Sequence, residues 1–327
     1  MRLLIFKVNQ LGDNVVFLPV VQELARRHPD WQITVCTSSV AAPLYQVTCP
    51  KVKVLEFQTQ AFNEAWRHPF QLWQLIRQFH RLPQDACLLG NDQGNVAHLL
   101  ARSTGAPRII GPRIEERHLG WLLHERVPLD FSEADPRQNW RIAQTLAPDM
   151  PAAIPAPDLA AFGRTEHGGV FIHAGASREY KKWPLEDYVT LANRLSATLP
   201  VTWMLQNDPR EQRLCSGVHR LQQGTLAELI RGIAGSRLFI GNNSGPMNIA
   251  SALGIPGIIF NGPSTAAWDP FWHHESFEIL RDPNLACQPC DLPNRPMNFC
   301  RNTLEPMACM KRWSVDHVHE LVMARMR

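Results

Sequence analysis

Leu238-Phe239-Ile240-Gly241-Asn242-Asn243-Ser244-Gly245-Pro246-Met247-Asn248-Ile249-Ala250-Ser251-Ala252-Leu253-Gly254-Ile255-Pro256-Gly257-Ile258-Ile259-Phe260 is the stretch that decides the fold of this 327-residue chain. Leu238 to Gly241 reads as a buried strand, Ile249 to Leu253 as a helix, and Gly257 to Phe260 as a second strand. Two strands joined through a helix form a parallel β-α-β unit, since parallel neighbours need a crossover connection. Gly241 to Asn248 therefore lies between a strand end and a helix start. That position offers unbonded N–H groups and the positive end of a helix dipole, and glycine leaves room for an anion to approach. Asn243 and Ser244 also suit an ordinary helix cap, so the segment alone admits both readings. Asn261-Gly262-Pro263-Ser264 marks the end of the following strand, on the same edge of the sheet.

The same alternation extends outward in both directions. Leu3 to Val8, Ile33 to Cys36, Val52 to Phe57, Ala86 to Leu89 and Arg108 to Ile110 read as strands. Helical patterns fall at Val15 to Arg27, around Phe70 to Phe79 and at Val96 to Arg102. After a break, Val170 to His173 and Val201 to Leu205 read as strands. Leu185 to Ala197, Leu226 to Ile233 and Trp313 to Met326 read as helices. Strands alternating with helices predict α/β architecture with doubly wound parallel sheets. The break carries Pro148, Pro151, Pro155 and Pro157, then Gly163, Gly168 and Gly169. It reads as a semi-rigid linker over 151–168, separating an N-terminal domain, 1–150, from a C-terminal domain, 169–327. Two such halves are expected to face each other across a cleft.

Composition narrows the class. Hydrophobic residues make up 45% and charged residues 19%, which suits two cores of ordinary size. A net charge of +3 is far from what a dedicated nucleic-acid binder carries, so no nucleic-acid partner is expected. Lys7 interrupts the first apolar run and no small-residue cleavage site follows, so no signal peptide is expected. No stretch approaches the ~18 apolar residues of a membrane helix. Eight scattered cysteines then point to thiols or metal ligands rather than disulfides, and to the cytoplasm.

Three further segments carry chemistry. In Lys7-Val8-Asn9-Gln10-Leu11-Gly12-Asp13 a strand ends, a glycine turns the chain, and a carboxylate meets the first helix. Asp13 can be a general base there, or simply an N-cap aspartate closing the helix. His173-Ala174-Gly175-Ala176-Ser177 leads to Lys181-Lys182-Trp183-Pro184. Small residues after a strand admit a phosphate and a lysine adds fixed charge; equally, this is a solvated loop entering a helix at Pro184. Cys287, Cys290, Cys300 and Cys309 have the spacing C-x2-C-x9-C-x8-C in a stretch poor in core residues. Four thiolates around a structural zinc, or iron, would order it; unrelated thiols are the other reading. His273-His274-Glu275 invites a catalytic reading but reads first as a surface loop after Pro270. Arg108, Arg113, Arg117, His118, His124 and Arg126 read as a solvated face that can also receive an anionic acceptor.

Together these blocks resemble glycosyltransferase family 9, the heptosyltransferases of bacterial lipopolysaccharide synthesis, over nearly the whole chain. The resemblance rests on the opening Lys7 with Gly12-Asp13, the G-A-S…K-K-W-P block at 175–184, the G-N-N-S-G-P-M-N-I-A-S-A-L-G-I-P block at 241–256, Gly262-Pro263 and the late cysteines. It implies the two-domain GT-B architecture, with an acceptor side in the N-terminal domain and a donor site in the C-terminal one. It also implies an ADP-heptose donor, inversion at the anomeric carbon and no catalytic cofactor or metal. Carried onto this chain, it makes Asp13 the base, with Lys7 and Gly12 in the acceptor-side loop. It places Ala176, Ser177, Lys181, Asn243, Ser244, Gly245, Pro246 and Asn248 around the donor's diphosphate and sugar, and Glu211 at its ribose.

The family typically carries Asp where this chain has Asn243 and His where it has Asn248. These departures keep open a non-catalytic nucleotide-sugar-binding relative. The late cysteines keep open a protein-modifying heptosyltransferase. The leading expectation is transfer from an ADP-sugar to a lipopolysaccharide-core or related glycan or glycolipid, in the cytoplasm at the inner face of the inner membrane. An NAD(P)-linked enzyme is disfavoured because Gly12 stands alone where G-x-G-x-x-G is needed.

Overall fold

The structure, a computed structural model, describes residues 1–114, 119–205, 210–211, 217–292 and 297–327. It divides into two units, Met1–Ala161 and Phe162–Arg327.

The first unit contains six strands: β1 (Arg2–Lys7), β2 (Gln32–Ser38), β3 (Lys53–Phe57), β4 (Ala86–Leu89), β5 (Arg108–Arg113) and β6 (Glu125–Pro128). They form one sheet in the order β3-β2-β1-β4-β5-β6, parallel throughout. Leu3, Leu4, Ile5 and Phe6 are fully buried because β1 is covered on both faces, which is why the run is uninterruptedly apolar. Each such side chain contributes roughly 1.5–3 kcal/mol of transfer free energy. The first helix spans Leu11–Arg27 and accommodates Pro19 in its interior.

The second unit repeats the plan with β7 (Val170–His173), β8 (Val201–Met204), β9 (Arg220–Gln222), β10 (Leu238–Asn242), β11 (Gly257–Phe260) and β12 (Phe277–Leu280). Its order is β12-β11-β10-β7-β8-β9, again parallel. Ile240 lies in register with Ile172 on one side and Ile258 on the other. The core gathers Trp183, Tyr188, Trp203 and Phe260 against these strands, with Trp183 stacked on Phe260 at 4.4 Å between ring centroids. The helix following β10, Gly245–Ala252, begins four residues earlier than the periodicity predicts. Ser244 is its extended N-cap residue and Pro246 fits the first turn, where its missing N–H costs nothing.

Numbered within each unit, both sheets have the order 3-2-1-4-5-6. The first strand and the fourth are neighbours whose connections leave in opposite directions, and ligands of such sheets bind beyond the carboxyl ends of that pair. The topology thus singles out two places: the loops after β1 and β4, and those after β7 and β10.

Candidate active site

In the first unit, β1 ends at Lys7, whose side chain is buried beneath the loop after β4. Gly90 permits this, since a Cβ there would stand 2.8 Å from Lys7 Cδ. The Lys7 ammonium donates to Asp92 Oδ1 at 2.7 Å and Asn91 Oδ1 at 3.1 Å. Asn9 donates to Asp92 Oδ2 at 2.5 Å, and Gln93 donates to Asn9 Oδ1 at 2.7 Å, tying the two loops together. Asn91 continues the network to Asp135 Oδ1 at 3.0 Å.

Asp13 stands beside this cluster in the first turn of its helix. Gln10, not Asp13, is the N-cap residue of this helix; Asp13 lies three residues on, in a capping box, where its Oδ2 accepts the Gln10 N–H at 3.1 Å, and its carboxylate is half-buried, as is Gly12. Desolvation pushes Asp135 up to about 7, and the negative charges of Asp13 and Asp92 add to this against the opposing pull of Lys7. Four charged groups therefore interact at one strand edge, and Asp13 is one of them.

In the second unit, β7 leads into Ala174 and Gly175, and Asn242 holds both ends of the following loop. Its Nδ2 donates to the Ala174 carbonyl at 2.8 Å, while its Oδ1 accepts the Trp183 N–H at 3.0 Å and the Tyr188 hydroxyl at 3.1 Å. Asn242 is fully buried, and sequence reasoning gave it no role of its own. The available signal was a second asparagine at the last strand position, where an amide can satisfy donors and acceptors in one place. Ala176 is half-buried and Ser177 exposed on the loop so fixed. Burial lowers His173 to about 4, which keeps it neutral near pH 7.

Lys181 lies over the Trp268 ring, 4.7 Å from its centroid, and its Nζ is 2.6 Å from Asp291 Oδ2. The Trp268 carbonyl accepts from Asn243 Nδ2 at 2.8 Å. Trp268 thereby links the lysine to the start of the Gly245–Ala252 helix. Arg281 grips Asp269, the residue after Trp268, through two contacts of 2.6 and 3.0 Å. Asp291 is 3% exposed and also accepts the Met297 N–H at 3.0 Å and the Tyr180 hydroxyl at 3.3 Å. Neither Asp291 nor Trp268 was marked by the sequence reading. Asn248 is half-buried in the same helix. Glu211 is buried and accepts from Trp203 Nε1 at 3.5 Å.

His273, His274 and Glu275 are exposed in a short turn. Of the basic cluster, Arg108 is engaged by Glu125 at 2.8 Å, and Arg117 and His118 lie outside the described residues.

A pair of Rossmann-like units, each with a polar cluster at its switch point, is the architecture of the GT-B glycosyltransferases. The chain belongs to glycosyltransferase family 9 (heptosyltransferase), whose family model matches residues 72–296. Among curated proteins it is similar to lipooligosaccharide heptosyltransferase 2 of Campylobacter jejuni subsp. jejuni serotype O:6, at 24% identity over 140 residues. That match spans 38% of this chain and 44% of the relative. Among solved structures it is similar to the E. coli heptosyltransferase WaaC with ADP, with a TM-score of 0.74, 15% identity, and coverage of 99% of this chain and 100% of that one. It is also similar to the iron-containing dodecameric glycosyltransferase TibC from enterotoxigenic E. coli, with a TM-score of 0.61, 15% identity, and coverage of 99% and 75%.

The expected structural metal centre gains no support from the described residues. Among the described residues, no group of three or more His, Cys, Asp or Glu side chains is arranged to hold a metal ion. The four late cysteines are close enough for Cys290, Cys300 and Cys287 to raise the Cys309 thiol, but burial is the larger cause and takes it to about 12. Cys309 packs in the core beside Met310, and Cys300 Sγ accepts the Met307 N–H at 3.4 Å. The Cys290 N–H donates to the Pro263 carbonyl at 3.0 Å. Cys309 is buried, Cys290 and Cys300 are half-buried, and Cys287 is exposed.

Proposed function

We propose that the chain is an inverting glycosyltransferase that moves a heptose, or a closely related sugar, from an ADP-sugar to a lipopolysaccharide-core or related glycan or glycolipid acceptor. In this reading the first unit serves the acceptor and the second the donor. The observation that carries it is the second-unit cluster, in which Trp268 joins Lys181 to the helix starting at Gly245.

Pro246 lacks an N–H, and that of Met247 is bonded to the Ser244 carbonyl at 3.0 Å. The amides of Ser244 and Gly245 would therefore be the backbone donors for a phosphate, with Lys181 as the cation and the Ala176-Ser177 loop alongside. Charge accumulates on the departing diphosphate, so fixed donors and an ammonium favour the transition state over the bound donor. Asp291 does not preclude this, since an ammonium has three N–H donors and can serve a carboxylate and a phosphate together. Asp13 takes the proton of the acceptor hydroxyl as that oxygen forms its bond to the anomeric carbon. The bond to ADP breaks on the opposite side, and the configuration inverts. Glu211 would hold the ribose.

Asn243 and Asn248 favour a second reading, a binder without turnover, because neither can carry charge. A thermal-shift screen of ADP-, UDP-, GDP- and CDP-sugars, coupled to transfer assays, tests both. The ADP-sugar at ~100 times its Kd is expected to add ~2.7 kcal/mol of stability, and the other nucleotides much less. Stabilisation by UDP-sugars alone contradicts the donor assignment; ADP-sugar binding with no transfer to any glycan, glycolipid or protein acceptor selects the second reading.

A further inference from the structure

The helix Pro69–His80 buries one side and leaves another without protein cover. Leu72, Leu75, Ile76 and Phe79 pack on the first unit's core. Phe70, Trp73, Arg77 and Arg81 follow at helical spacing on the outside, with Phe70 68% and Trp73 49% exposed. Trp66, one turn upstream, is 62% exposed. Large aromatics at these exposures, gathered on one short stretch, differ from the scattered apolar residues of an ordinary surface.

The cations are interleaved with the rings. Arg77 lies over Trp73 at 4.6 Å from its centroid and Arg67 over Trp66 at 5.1 Å. Phe70 and Trp73 stack at 6.0 Å. Lys53 joins Arg77, Arg81 and Trp73 in lining a shallow groove along the stripe. Glu64 pairs with Arg67 at 3.3 Å.

We infer that this face is a docking surface for an anionic phospholipid bilayer. Tryptophan and phenylalanine settle at headgroup depth while arginines reach lipid phosphates, and a helix whose outer stripe supplies both lies in the interface rather than across it. No described helix is long and apolar enough to cross a membrane. Charge disfavours a second copy of the chain as the occupant, because a two-fold contact would set arginines against arginines. The surface is independent of the sugar transferred, but it would bring the chain to the plane in which a glycolipid acceptor resides.

The test is co-sedimentation of the full chain with vesicles of phosphatidylethanolamine containing phosphatidylglycerol, and with phosphatidylcholine vesicles. Wild type is expected to pellet with the first and to remain in solution with the second. The variants Phe70→Ser/Trp73→Ser and Arg77→Glu/Arg81→Glu should each lower partitioning by at least about tenfold while keeping the wild-type melting temperature. Quenching of wild-type tryptophan fluorescence by brominated phosphatidylglycerol, weakened in Trp66→Phe/Trp73→Phe, gives a readout through conservative changes. Failure of wild type to bind anionic vesicles, equal binding to phosphatidylcholine, or variants that pellet like wild type would overturn the assignment. A wild-type dimer that these substitutions dissociate would also overturn it, by giving the face to a second copy.

Discussion

Replacing Asp13 by alanine is expected to lower sugar transfer by roughly 10²–10⁴-fold, the usual contribution of a positioned general base. The same change also breaks a capping box, because Asp13 Oδ2 accepts the N–H of the N-cap residue Gln10. Loss of this half of the capping box costs about 0.3–1.5 kcal/mol, so a stability defect alone could mimic part of the result. Asp13→Asn separates the two roles. Its amide oxygen can still accept the Gln10 N–H, but it is not a base. Asp13→Asn should therefore melt close to wild type and transfer as slowly as the alanine variant. Recovery of transfer in Asp13→Asn, measured at saturating donor, would reduce Asp13 to a cap.

Lys181→Met is expected to act on both turnover and stability. Removing a preorganised cation from the leaving diphosphate costs roughly 10²–10³-fold in rate, by comparison with other fixed donors at developing negative charge. It also strands Asp291, whose carboxylate is 3% exposed. Breaking a buried pair from one side costs about 3–5 kcal/mol. The Met297 N–H and Tyr180 hydroxyl still serve Asp291, which places the expected loss near the lower figure. For a unit of this size that is a fall of roughly 6–12 °C in melting temperature. The double variant Lys181→Met/Asp291→Asn should regain most of the stability, since no buried charge remains, and none of the activity. Recovery of transfer in the double variant would show that the single substitution acted through misfolding.

How much of this was legible in the sequence follows from where each residue gets its constraint. β1, β4, β7 and β11 are buried on both faces, and their unbroken apolar runs announce them. β6, β9 and β12 carry Glu125-Arg126, Arg220 and Glu278, and were not marked as strands. All three lie near or at a sheet edge, where one flank needs no apolar cover. The helix Asp135–Leu146 was likewise missed because Arg137, Gln138, Asn139 and Arg141 dilute its apolar positions.

The loops after β1, β7 and β10 were legible because glycine or small residues follow a strand there, but the loop after β4, which brings Asn91 and Asp92 to Lys7, was not. Nor were the supports. Asp291 is over a hundred residues from Lys181 in sequence, and nothing local to either names the other. Asn242 is an ordinary residue in composition and becomes a brace only once β10 lies beside β7. The late cysteines show the same limit: their spacing gathers the thiols in sequence, but only the short helix Ala308–Lys311, which seats Cys309 in the core, fixes where the last of them lies.

In the proposed donor site the second unit holds a diphosphate between Lys181 and the helix that begins at Gly245. A crystal structure of the chain with ADP decides this. The β-phosphate is expected within hydrogen-bond reach of the Lys181 ammonium and of the Ser244 or Gly245 amide, with the Trp268 ring still beneath the lysine. ADP bound elsewhere, or bound with Lys181 turned wholly to Asp291 and neither amide in contact, would contradict it.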